Sequence, residues 1–300
     1  MFPSKTDTPA IRVVLDHRCL LGEGPVWDAR QGLICWIDIL NGEIHQVEPT
    51  QTTHSTVQVY QPIGSFALCQ RDSRFVAAIK DGFCFIDRQT GAVSMIANPE
   101  ASRPGNRFNE GKCDPAGRFW AGTMSLIEEP EAGSVYTLNP DLSVTRKIGK
   151  VTISNGMAWS LGHSQLYYID TPTFTVKSFL FNNKTGQLGP VRTVLDIPEQ
   201  EGYPDGMTID NEGMLWIAHW DGWQITRWNP NTGEILLRLP LPVAKVTSCT
   251  FGGPTLGDLY ITTARVGLSE KEIEEQPLAG SLFVWPDCGF TGMSAFEFDA

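Results

Sequence analysis

Short β-type runs, each closed by a polar residue, recur along the chain: LICWIDI from Leu33, RFVAAIK from Arg74, RFWAGTM from Arg118, QLYYIDT from Gln165, MLWIAHW from Met214 and DLYITTA from Asp258. They return at intervals of about 40 to 50 residues, the period of four-stranded propeller blades. Each follows a shorter apolar segment and a turn, as in GPVWDARQG, GKCDPAGR, GMAWSLGHS, GMTIDNEG and CTFGGPTLG. Asp, Asn, Gly and Pro supply the turn, so each pair reads as a hairpin of strands A and B. A third strand, C, follows in GEIHQVEP, GFCFIDRQTG, GSVYTLNPD, TVKSFLFNNKTG, WQITRWNPNTG and GSLFVWPD, where alternation ends in another Asn, Asp or Gly turn. The more variable stretches between repeats supply strand D. Helical periodicity is confined to SEKEIEEQP after Gly267.

Six such units fill the chain and predict an all-β fold: a six-bladed β-propeller of four-stranded antiparallel blades, one domain over residues 1–300. A β-sandwich or two smaller β domains would have no reason to repeat one pattern six times.

Composition narrows the partners. The 300 residues are 41% hydrophobic and 19% charged, enough for a large core, and the formal net charge of -11 gives no basic patch for nucleic acid or an anionic membrane. The expected partner is a small molecule, and nothing in the chain fixes oligomeric state; a monomer is compatible. The seven cysteines are scattered and never spaced CxxC, which indicates neither a disulfide framework nor a thiolate zinc site. The run MFPSKTDTPAIRVV lacks the apolar core of a signal peptide, and no stretch approaches the roughly 18 apolar residues of a membrane span. The expected location is cytoplasmic.

In a propeller, strand A of each blade lines the central channel, so the starts of equivalent A strands meet in one ring. Those positions carry Glu23 in LGEGPVW, Asn109 and Glu110 in RFNEGK, Asn155 in SNGMAW and Asp205 in PDGMTID, with Ser65 or Ser248 in the remaining blades. Asn-Gly and Asp-Gly are also ordinary hairpin turns, but these lie before strand A and not in the A–B turn. The following glycines suit a crowded axis. Carboxylates and an amide oxygen converging in a channel are costly to desolvate without a cation. Oxygen donors favour Ca²⁺, Mg²⁺ or Mn²⁺ and also accept Zn²⁺ or Fe²⁺. Asp28, Asp114 and Asp210 fall in the A–B turns at the opposite face and read as turn formers. His219, Asp38, Asp170, Trp220 and Arg265 fall near the rim, each as a substrate contact or as part of the fold. The five histidines show no ligand spacing in sequence.

Through LGEGPVW, RFNEGKCDPAGRFWAGTM, SNGMAW, PDGMTID and TSCTFGG, in that order, the chain resembles the gluconolactonase/regucalcin family of six-bladed propeller sugar lactonases. The resemblance spans essentially the whole chain. It implies that Glu23, Asn155 and Asp205 hold one divalent cation, and that Arg107 and Asn109 hold substrate hydroxyls. It also implies an acidic substrate contact after GTM, where Ser125, Leu126 and Ile127 precede Glu128 and Glu129; the displaced position points to Glu128.

A cation that polarises a lactone carbonyl acts as a Lewis acid. Asp205 is the candidate general base, with a role as ligand alone the competing reading. No GxSxG elbow, HExxH or nucleophilic triad is evident. The leading expectation is therefore metal-dependent hydrolysis of a pentose or hexose aldonolactone. A non-catalytic Ca²⁺-binding protein of the regucalcin type is the alternative, and a propeller scaffold for protein partners, which would expose an apolar or charged patch, ranks third.

Overall fold

The computed structural model describes residues 11–51 and 53–300, so most of the N-terminal stretch read above as lacking a signal peptide lies outside it. Six four-stranded antiparallel sheets succeed one another around a channel. Their inner strands are Gly22–Asp28, Ile63–Leu68, Asn106–Cys113, Ser154–Trp159, Tyr203–Ile209 and Val246–Gly252. The second strands, Leu33–Asp38, Phe75–Ile79, Phe119–Ser125, Gln165–Asp170, Leu215–Trp220 and Asp258–Thr263, fall on the six repeated segments. Among the described residues the one α-helix, Glu270–Glu275, starts at Ser269 with a capping box to Glu272, as the Ser-x-x-Glu spacing dictates.

The outer strand departs from the repeat in one blade. Five fourth strands come from the stretches between repeats, but that of the sixth blade is Arg12–Leu15, which pairs antiparallel with Leu282–Trp285. The two ends of the chain thus close the ring, removing edges that an open sheet would expose. Beyond Trp285 the chain crosses the A–B turn end of the channel, where Phe298 N donates to Leu68 O and Asp299 N to Gly117 O.

Six apolar clusters hold the blades together, one at each blade–blade interface. Period-2 alternation gives every sheet two apolar faces, and each packs against the next blade. Fully buried Trp36, Trp120 and Trp216 are the largest side chains in this packing. The seven cysteines are all buried and unbridged.

Candidate functional site

All six inner strands break register near their starts, between Glu23 and Val26, Ile63 and Ser65, Phe108 and Gly111, Ser154 and Met157, Pro204 and Met207, and Val246 and Ser248. A bulge gives a strand one extra residue and re-aims a side chain. In four blades the residues inside or beside it are Glu23, Asn109 with Glu110, Asn155, and Asp205. The glycine after Glu23, Gly24, takes a left-handed φ of 53°, whereas Gly156 and Gly206 serve close approach. A Cβ on Gly156 would stand 2.8 Å from Asp205 O, and one on Gly206 2.2 Å from Ser248 Oγ. Inner strands of neighbouring blades nearly touch there, and this closeness brings the side chains onto one axis.

The result is a cavity of about 400 Å³ at the channel mouth, lined by Glu23, Arg107, Asn109, Glu128, Asn155 and Asp205 together with Leu21, Met124, Ile153, Thr171, Pro172, Tyr203 and Trp220. The six residues expected to hold the cation or the substrate, Glu23, Asn155, Asp205, Arg107, Asn109 and Glu128, all lie on its wall, whereas Ser65 and Ser248 do not. Glu23, Asn109, Asn155 and Asp205 are buried, whereas Glu128 is exposed at the rim with a left-handed φ of 55°. Glu110 is buried and off the wall.

A chain of hydrogen bonds fixes the amides. Arg107 Nη1 donates to Asn109 Oδ1 at 2.7 Å and to Phe108 O at 2.9 Å, and Asn109 Nδ2 donates to Ser154 O at 2.9 Å and Asn155 Oδ1 at 3.4 Å. Asn155 Nδ2 donates to Thr171 Oγ1 at 2.9 Å, and that hydroxyl donates to Pro204 O at 2.8 Å. These bonds fix the Asn155 amide at the cavity wall. Thr171 escaped the sequence reading, although it ends the QLYYIDT repeat at the rim, where second strands return to this face.

The acids are poorly compensated. Glu23 Oε2 accepts only from Gly24 N, at 2.8 Å. Burial, then the Glu110 charge, raises the Glu23 carboxyl to about 8. Asp205 is driven well above the ordinary carboxylate range by burial, then by Glu23 and Glu110. Burial also raises Glu110, whose Oε2 has no hydrogen-bond partner. Arg107 is pulled down to about 10 by burial, against the attraction of Glu23, Asp205 and Glu128. Buried carboxylates that repel one another fit a site completed by a cation.

Residues 21–265 match the SMP-30/Gluconolactonase/LRE-like region family. The chain belongs to this family. It is 38% identical over 293 residues to regucalcin of Xenopus laevis, covering 96% of this chain and 98% of that one. It is 37% identical over 268 residues to YvrE of Bacillus subtilis (strain 168), provisionally named a sugar lactone lactonase, covering 89% of this chain and 91% of that one. A solved structure of regucalcin from Agrobacterium tumefaciens, titled a calcium-binding protein, superposes with a TM-score of 0.92 at 28% identity over 97% of this chain and 98% of that one.

In this SMP-30/gluconolactonase-type chain, most of the other rim residues belong to the fold. Asp38 accepts from Leu20 N at 2.7 Å and Leu21 N at 3.2 Å, and Asp170 from Ile153 N at 2.9 Å. His219 is fully buried against Thr226 Oγ1 at 2.6 Å. Arg265 is absent from the wall, and Trp220 alone of this set lines the cavity. Among the described residues no helix is long and apolar enough to cross a membrane.

Proposed function

We propose that the channel mouth hydrolyses an aldonolactone of a pentose or hexose to the sugar acid, with one divalent cation, Ca²⁺, Zn²⁺, Mn²⁺, Mg²⁺ or Fe²⁺, held by Glu23, Asn155 and Asp205. The observation that carries this reading is the convergence of two buried, mutually repelling carboxylates and a hydrogen-bonded amide in one cavity of about 400 Å³. A cavity of that size takes one sugar ring. When bound, the cation polarises the lactone carbonyl and stabilises developing negative charge on its oxygen.

The chain's own groups divide the remaining work. Asp205 takes the proton of the attacking water at a carboxylate oxygen. Arg107 commits one nitrogen to Asn109 and Phe108, leaving the rest of its fork for substrate hydroxyls. Asn109 braces Asn155 and shares its amide with substrate. Glu128 accepts a hydroxyl at the rim, and the Trp220 face covers the apolar side of the ring. Seven buried free thiols fit the cytoplasm, where disulfides are rare.

The regucalcin names favour a second reading in which the same ligands hold Ca²⁺ without turnover. A pH-stat assay of chelated and metal-reloaded protein against a panel of aldonolactones separates the two. Acid release that disappears on chelation and returns with metal is expected. Turnover indifferent to chelator would overturn the metal role, and no turnover of any lactone by the loaded protein would favour the binding reading.

A further inference from the structure

The outer side of the first blade gathers side chains that the channel mouth does not use, and that sequence spacing did not connect. His17 and Cys19 lie between the closing strand Arg12–Leu15 and the first inner strand, and His45 lies in the third strand, Glu43–Glu48. One ligand atom from each, two imidazole nitrogens and the Cys19 sulfur, lie within 4.8 Å of one another. A tetrahedral ion with metal–ligand distances of about 2.0–2.3 Å holds its ligands about 3.5 Å apart. Side-chain rotation of the order of 1 Å bridges that difference.

The second observation is the state of His45. It is fully buried. Its Nδ1 stands 3.1 Å from Thr56 Oγ1 and 3.3 Å from His54 Nε2. Its Nε2 has no hydrogen-bond partner, although Glu43 Oε2 lies 3.4 Å away and the same oxygen lies 3.5 Å from His17 Nε2. A buried nitrogen with no partner costs free energy. An imidazole anchored at Nδ1 by a hydroxyl, with Nε2 facing other donors, has the arrangement of a metal-ligating histidine and its orienting partner.

Burial, followed by the neighbouring charges of His17 and His54, drives the His45 imidazole down to about 3. Burial pushes the Cys19 thiol up to about 12. Cys19 and His45 are sealed from solvent, while the His17 side chain is 32% exposed and that of Glu43 21%, which leaves a route in.

We propose that His17, Cys19 and His45, with the Glu43 carboxylate as fourth donor, form a structural site for a divalent cation of the zinc type, separate from the channel mouth. Sulfur and imidazole select a softer ion than an all-oxygen set does, and four protein donors close a tetrahedral site. On binding, the thiol loses its proton to solvent, so thiolate and carboxylate balance the two positive charges. The ion would tie the segment that leaves the closing strand to the first blade. Cys19 N already donates to Gly280 O there, at 2.9 Å. Binding to the folded chain alone would then secure the closure of the ring.

The test is Co²⁺ added to the chelator-treated full chain, followed by a zinc titration. A thiolate-to-cobalt charge-transfer band in the near ultraviolet is expected in the wild type and in Asp205→Asn, and is lost in Cys19→Ser. In an Asp205→Asn background, which lacks a ligand at the mouth, Zn²⁺ should raise the melting temperature, and should no longer do so once Cys19→Ser is added. His17→Gln, a change at a partly exposed position that keeps the fold, should weaken zinc at least about tenfold. No thiolate band in the wild type, or a band undiminished in Cys19→Ser, would overturn the proposal; unchanged zinc affinity in His17→Gln would remove His17 from the ligand set.

Discussion

At the A–B turn end of the channel, Asp114 accepts from Ala116 N, Arg118 N, Arg118 Nη1 and Trp120 Nε1 at 2.8–3.0 Å. Asp210 repeats the pattern with Glu212 N, Met214 N, Trp216 Nε1 and Arg227 Nε at 2.7–3.0 Å. Asp28 does so with Arg30 N, Gln31 N and Arg88 Nη1. At the mouth, Glu23 has one backbone N–H, and Asp205 has Asn155 as its hydrogen-bonding partner, with like charges beside it. Both ends bury acids to a similar degree. One end pairs each acid directly with an arginine, whereas at the other Arg107 attracts Glu23 and Asp205 without forming an ion pair with either among the described residues. Burial of an acid is therefore no mark of function; burial without a direct ion pair is.

That contrast can be broken from either side. Asp205→Asn should lower lactone hydrolysis on the order of 10³-fold while leaving the metal-free melting temperature unchanged or higher, because it removes a repelled, desolvated charge. A matching loss of stability would show Asp205 to be structural. Asp210→Ala should do the reverse, destabilising by about 3–5 kcal/mol in chemical denaturation because Arg227 and Trp216 lose their acceptor. If it unfolds as readily as the wild type, the two ends do not differ as described.

The metal-free protein should also respond to pH through the mouth. Glu23 and Asp205 hold protons more tightly folded than unfolded; the stabilising contribution of Glu23 is complete below the ordinary 4.5 of a glutamate and is lost as pH rises through about 8, and that of Asp205 is lost in the same direction. Denaturation midpoints should fall across that window, and a saturating divalent cation should flatten the fall. A midpoint that rises over the same interval would contradict the raised proton affinities. Arg107→Ala carries the smallest effect, about a tenfold rise in KM with less change in kcat, measured by steady-state kinetics; a loss confined to kcat would move Arg107 from substrate binding to the reaction itself.

The fold was legible because its information is local. The second and third strands of every blade, from LICWID and EIHQVE to DLYITT and LFVW, alternate within a few residues and end in turn formers. The closing strand was not legible: RVVL is short, and its partner at Leu282–Trp285 lies at the other end of the chain. At the mouth, equivalence between blades grouped Glu23, Asn109, Glu110, Asn155 and Asp205, and the family resemblance singled out Glu23, Asn155 and Asp205 as ligands. Neither the bulges that aim them nor the bracing by Thr171 has a sequence sign beyond the glycines. Asp38, Asp170 and His219, expected near the rim, do not line the cavity and are spent on backbone amides and a neighbouring threonine. His17, Cys19 and His45 were missed because the third donor comes from another segment, the strand Glu43–Glu48, and no spacing rule links it to the His17–Cys19 pair.

The central claim is that the mouth acids carry protons until a cation replaces them. Ca²⁺, a hard ion with little affinity for the thiol and imidazoles of the first blade, can be titrated into chelator-treated protein in weak buffer at pH 7 while released acid is recorded. Binding should release about one proton or more per ion, and both binding and release should be strongly reduced in Glu23→Gln. Calcium that binds without releasing protons, or that releases them undiminished in Glu23→Gln, would contradict the account.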